Sequence, residues 1–193
     1  MNLLKATLLP MLFLSLTACV SVPAPKYQPS IDNTSLLLQR HLQMDVAAFT
    51  AAKDVENRSL NVRGSHLHGG SDGTYATYLR EALIAELVAS GGYSADNELK
   101  LGGELVANDL SAGIGTGNAK VGARFVLTRG GQTVFDKTLV SEHQWESSFI
   151  GAVAIPAAMD SYGAAVQKLI RELLTDPDFI EASADLTRTD PSA

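Results

Sequence analysis

The sequence predicts an α+β domain: a two-layer sandwich with a mainly antiparallel sheet and two helices packed on one face. Three observations lead there. Thr74–Ser90 and Pro156–Leu174 each repeat apolar residues every three or four positions, as helices with one buried stripe do. Between them lie three strand-like stretches, the last two joined by the tight turn Arg129-Gly130-Gly131-Gln132. The order strands, helix, meander, helix suits hairpins with their helices segregated to one side.

Along the chain, Ser35–Phe49 reads as a strand broken near His41, and Ser59–Leu67 as a second, weaker strand. Gly69-Gly70-Ser71-Asp72-Gly73 is a flexible loop. In the helix that follows, Tyr75, Leu79, Leu83 and Leu87 fall four apart; Asp72 or Thr74 caps its start, and Gly91-Gly92 ends it. Glu98–Asn108, Lys120–Thr128 and Thr133–His143 form the meander. Pro156 suits the first turn of the last helix, whose stripe is Met159, Tyr162, Val166, Leu169 and Leu173; Asp176-Pro177 stops it.

These elements fill residues 35–182, enough chain for a real core in one domain. Residues 183–193 are polar and read as a frayed tail. Val20–Thr34 holds three prolines in fifteen residues without periodicity, so residues 19–34 read as an extended tether. Hydrophobic residues make up 46% of the chain and charged ones 19%, which excludes a disordered or fibrous protein. The net charge is −6 and no basic cluster occurs, so no nucleic-acid partner is expected. The single cysteine, Cys19, rules out an intramolecular disulfide.

Residues 1–18 have the shape of an export signal: Lys5, an apolar run from Ala6 to Leu16, then small residues before a cut. The run is shorter than the roughly 20 apolar residues of a membrane span. Leu16-Thr17-Ala18-Cys19 resembles the lipobox of bacterial lipoproteins. The resemblance implies cleavage before Cys19, lipidation of its thiol and acylation of its new amine. With Val at position 20 rather than Asp, it also implies sorting to the outer membrane, facing the periplasm. Several acyl chains give stable anchoring where one is marginal. The processed chain would carry 14 basic and 21 acidic residues, a formal charge of −7.

Candidate chemistry is sparse. His66 and His68 stand two apart on a strand and share a face, but a metal needs further ligands and Asp72 is the only near one; a polar strand end is the expectation, with no metal and no cofactor. Gly113–Lys120 resembles a phosphate loop only superficially, because a strand rather than a helix follows; a mobile hairpin loop is expected, with a contact site as the alternative. There is no Gly-x-Ser-x-Gly elbow, and Glu142, His143 and Glu146 read as a surface cluster, so no enzyme is expected. From Trp145 through Met159 the chain is nearly all apolar. This is either a core crossover or an exposed lip with Trp145, Phe149, Ile150 and Ile155 as contacts for a partner or a lipid.

With the lipobox, the stretches TYLREALIAELVASGGY, LKLGGELVAND and WESSFIGAVAIPAAMDSYGAAVQKLIRELLTDPDF resemble the uncharacterised YajG-type lipoproteins over about residues 35–180. The element order is also similar to the auxiliary lipoproteins of lipid-transporting ABC systems, to the lipopolysaccharide-assembly lipoprotein LptE and to TolB-N-like synthase activators. These likenesses carry no active site. They imply a non-enzymatic lipoprotein, held in the membrane by its anchor, whose domain binds an envelope protein or other envelope component. The alternatives are a lipid- or glycolipid-binding carrier, or an auxiliary subunit of a lipid-transport system. A metal-dependent hydrolase at His66 and His68 is a weaker third reading.

Overall fold

A computed structural model of the chain describes residues 21–184. The export signal, Cys19 and residues 185–193 of the expected tail lie outside the described residues. The architecture is α+β, as the sequence predicts. Four strands form the main sheet in the order β2 (Asp45–Ala51), β5 (Leu99–Ala112), β6 (Gly115–Arg129), β7 (Gln132–Ser147). Strands β5, β6 and β7 are the expected antiparallel meander, each longer than its apolar core. Strand β2 pairs with β5 in parallel, so the sheet is mixed. A small sheet in the order β1 (Ser21–Pro23), β4 (Ser65–His68), β3 (Leu60–Val62) completes the strand set.

Helix α2 (Tyr75–Ala89) packs against β2 and β5, and α3 (Gly151–Thr175) against β6 and β7. Their stripes meet the sheet face that carries Leu101, Leu105, Val121, Phe125 and Leu127, all fully buried. Tyr75 and Tyr78 of α2 stand edge-on to Tyr162 of α3, at centroid distances of 5.1 and 5.7 Å. A bulge between Leu105 and Ala107 shifts the β5 register by one residue. A one-residue shift moves side chains to the other face. Asn108 thereby turns inward, accepts from the Tyr162 hydroxyl (2.8 Å) and donates to the Glu56 carbonyl (2.6 Å). Thr74 caps α2 by accepting from the Thr77 amide, and Asp72 in turn accepts from Thr74 and Thr77. Gly91 takes φ +69° just beyond the helix end, which a glycine adopts without strain.

Four expectations need correction. Ser35–Phe49 is not one broken strand: residues Ile31–Arg40 form helix α1, His41 turns the chain, and only Asp45 onward is strand. Leu, Gln and Arg are good helix formers, and Asn33 and Leu37, four apart, bury one face against α2 and α3. The segment expected to be an extended tether is docked on the domain, first by the pairing of Ser21–Pro23 with β4. Its prolines keep it extended, but Ala24 donates to the His68 carbonyl and the buried Tyr27 ties it to Glu86. Ser59–Leu67 is a hairpin, turning at Arg63 (φ +52°) and Gly64 (φ +83°), a pair of positive values typical of two-residue hairpin turns. The last helix starts at Gly151, so Pro156 sits inside it and leaves the exposed Ala152 carbonyl without its usual amide. Asp176 does end α3, and then caps the short helix α4 (Pro177–Ser183), whose Phe179 is fully buried against Phe135. No helix among the described residues is long and apolar enough to cross a membrane.

Candidate functional site

One end of the molecule gathers the most chemically distinctive surface. There the β5–β6 loop, the β7–α3 junction and the β3–β4 turn meet. Ile114, at the tip of the β5–β6 loop, is 82% exposed; Phe149 and Ile150, before α3, are 73% and 48% exposed; Val153, in its first turn, is 54% exposed. Large apolar side chains exposed singly are ordinary, but a cluster of them marks a contact surface. The segments that carry them are uncharged, from Leu110 to Ala119 and from Ser147 to Met159, in a chain that is 19% charged.

Arg63 holds this lip together. Its Nε donates to the Ala112 carbonyl (2.8 Å), Nη1 to that of Phe149 (2.9 Å), and Nη2 to those of Gly113 (3.0 Å) and Ser148 (2.8 Å). A planar guanidinium with several fixed donors suits such a fan of acceptors, where an ammonium would not. One side chain from a third loop thus fixes the relative placement of the two loops that present the apolar residues.

The four contact residues expected from sequence therefore divide. Phe149 and Ile150 lie on the lip. Trp145 and Ile155 do not: both are partly buried and packed against the core. Trp145 lies flat on Gly117, its cross-strand partner in β6, so close that a Cβ there would stand 2.2 Å from the indole ring. His143 stacks beside it at 6.3 Å. The indole Nε1 is buried without a hydrogen-bond partner among the described residues, so packing on the glycine is what holds the ring. Arg63 escapes sequence reasoning, and Ile114 and Val153 are not singled out within the glycine-rich loop and the apolar run that hold them. The lone isoleucine in Gly113-Ile114-Gly115 was the one available signal; Arg63 reaches its partners only across the fold, 49 to 86 residues away.

His66 and His68 each take a separate partner: His66 Nδ1 lies 3.1 Å from the Ser59 hydroxyl, and His68 Nδ1 donates to the Arg58 carbonyl at 2.6 Å. Asp72 is occupied in capping α2. Among the described residues no group of three His, Cys, Asp or Glu is arranged to hold a metal. Gly113–Lys120 forms a hairpin and the start of β6, with Lys120 paired to Glu142 at 3.2 Å.

A second feature is a groove of about 840 Å³ between the docked segment 24–29 and the outer side of α2, lined by Tyr27, Tyr78, Ile84, Ala85 and Val88. Tyr27, in its wall, is tied down by the buried Glu86. Glu86 Oε1 accepts from the Tyr27 hydroxyl (2.6 Å), the Ser30 amide (2.9 Å) and Asn33 Nδ2 (3.1 Å), and Oε2 from the Thr34 hydroxyl (3.2 Å). Burial, then the bond to Glu86 and its charge, push the Tyr27 hydroxyl far above its ordinary pKa, and burial lifts Tyr78 to about 12. Both remain neutral donors, unsuited to acid–base chemistry near neutral pH.

These features define an α+β domain with an exposed apolar end and a clamped N-terminal segment. No family model and no curated protein matches the chain. Among solved structures it is similar to a Xanthomonas campestris protein of the family-model DUF330, at 17% identity over 85% of this chain and 94% of that one, with a TM-score of 0.55. A "putative lipoprotein" from Caulobacter crescentus shares 14% identity over 78% of this chain and 94% of its own, at TM-score 0.45. A hypothetical protein from Chlamydia trachomatis shares 11% over 72% and 98%, also at 0.45. The Xanthomonas likeness is one of fold.

Proposed function

We propose that this protein is a non-enzymatic lipoprotein of the YajG type, anchored in the outer membrane through Cys19, whose periplasmic domain binds another envelope component. The observation that carries the reading is the apolar lip. Four exposed side chains on two uncharged segments are held in place by one arginine, which is how a contact surface is built and not how a reaction centre is built. The lipobox-like Leu16-Thr17-Ala18-Cys19 supports the anchor. Replacing Cys19 with Ala is expected to abolish acylation and leave an uncleaved, mislocalised precursor; normal fractionation of that variant with the outer membrane would refute the anchor. Crosslinking in cells from a photoreactive residue at position 149 is expected to capture the envelope component that the lip meets, membrane lipid included.

The groove beside α2 favours a second reading, a lipid or glycolipid carrier or an auxiliary subunit of a lipid-transport system. Its volume falls in the range of small-molecule sites and apolar side chains dominate its lining. Native mass spectrometry of protein prepared without detergent separates the two: a co-purifying lipid supports the carrier, and its absence rejects it.

A further inference from the structure

We infer that the lip formed by Ile114, Phe149, Ile150 and Val153 dips into the same lipid leaflet that holds the acyl chains of Cys19, so that the domain stands on the membrane on this end. The inference deepens the proposed reading and rests on its lipid anchor.

The argument is one of chain geometry. Strand β1 pairs with β4 in parallel, with Ser21 opposite His66. Strand β4 begins at Ser65, directly after the Arg63-Gly64 turn, and Arg63 is the residue that grips the lip. The start of β1 therefore lies at the lip end. Neighbouring strands are about 5 Å apart and each residue advances about 3.3 Å, which places Ser21 within roughly 15 Å of Arg63. Cys19 is two residues earlier in the chain, a reach of at most about 7 Å. A sixteen-residue flexible tether would have let the domain tumble freely; the pairing of β1 with β4 and the docking of Ala24 and Tyr27 leave no such slack.

The chemistry agrees with the geometry. A lipid interface accepts apolar side chains and rejects unpaired charge. The lip segments carry no charge, although the protein is acidic. The opposite end, where β6 and β7 are joined, carries the ion pairs of Lys100 with Asp45 (2.9 Å) and of Lys137 with Asp176 (2.7 Å) and Asp178 (2.9 Å). Arg63 faces the lip but spends its donors on four carbonyls. Phe149 and Ile150, with Ile114 and Val153, would enter the headgroup and upper acyl region as a shallow foot.

The test uses the full lipidated chain. Because Cys19 is the only native cysteine and its sulfur is used by the lipid, Phe149→Cys, Ile114→Cys and Ile180→Cys each supply one free thiol for a polarity-sensitive fluorophore. Ile180 lies in α4 at the opposite end and is also exposed. The variants are reconstituted on vesicles of phosphatidylethanolamine and phosphatidylglycerol, with and without brominated acyl chains. The expected result is a blue shift at positions 149 and 114, loss of their emission with brominated lipid, and neither change at 180. Protein that floats with the vesicles while positions 149 and 114 stay unquenched overturns the inference and leaves the anchor standing; a lip occupied by a protein partner or a second copy gives that outcome. Quenching at all three positions also overturns it, since the body would then lie flat. Protein that fails to float overturns the anchor and the inference together.

Discussion

Glu86 and Arg63 make an instructive pair. Each gathers four hydrogen-bond partners and each ties segments far apart in sequence. Glu86 is 1% exposed, and its partners are the side chains and backbone of the N-terminal segment. Arg63 is only partly buried, and its partners are backbone carbonyls of two surface loops. The first is a stability device, because a buried carboxylate and its donors lose a great deal if parted. The second is a positioning device: water replaces much of what is lost when it goes, but the loops lose their mutual placement.

The largest expected effect follows from the buried member. Glu86→Ala strands four donors and should cost about 3–4 kcal/mol, with release of residues 24–34 from α2. Denaturant unfolding read by Trp145 measures the first, and limited proteolysis the second. A loss below about 1 kcal/mol would break the contrast, since it would put Glu86 in the same class as a surface contact.

Gly117→Ala should come next, at about 1–3 kcal/mol, because the added methyl meets the indole ring at 2.2 Å and the ring must move. The emission of the sole tryptophan should change with it. Unchanged emission and stability would mean that Trp145 is not seated on the glycine.

Arg63→Ala should cost only about 1 kcal/mol overall, in line with a partly exposed hydrogen-bonding group. Its signature is local. Amide exchange should quicken at residues 113–116 and 148–152 and stay unchanged around Glu86. Global unfolding as severe as in Glu86→Ala would erase the distinction between the two devices.

The smallest effect concerns pH. Lys100, bonded to Asp45, holds its carboxyl below the usual range. Burial would raise Asp176, but Lys137 and the amides of Phe179 and Asp178 outweigh it and bring it down. Both groups have a lower pKa folded than unfolded. Their contribution is therefore complete above the unfolded value near 4 and is lost as pH falls through and below it. The lip segments, residues 110–119 and 147–159, hold no acidic residue. Acid should thus loosen the end that carries α4 before the lip, and amide exchange at pH 3 against pH 6 checks the order.

How much of this was legible beforehand differs by element. Helix α2 and the meander were readable because their apolar period is local and strong, and Thr74 and Gly91 punctuate α2. Helix α1 was not, since three consecutive leucines fit a strand or a helix and only the packing of Leu37 and Asn33 decides. The docked segment was not, because prolines forecast an extended path but not what it lies on. Within the apolar run, Phe149 and Ile150 are exposed while Trp145 and Ile155 pack against the core, a division the run does not reveal.

The sequence by itself determined the α+β class and the positions of the main helix and the three long strands, because each is written in local period or turn residues. The tertiary structure decided the rest. The parallel pairing of β2, the inward turn of Asn108, the Glu86 clamp and the four bonds of Arg63 depend on residues brought together across dozens of positions. Such contacts arise from burial and shape once the chain is compact, and no local pattern encodes them.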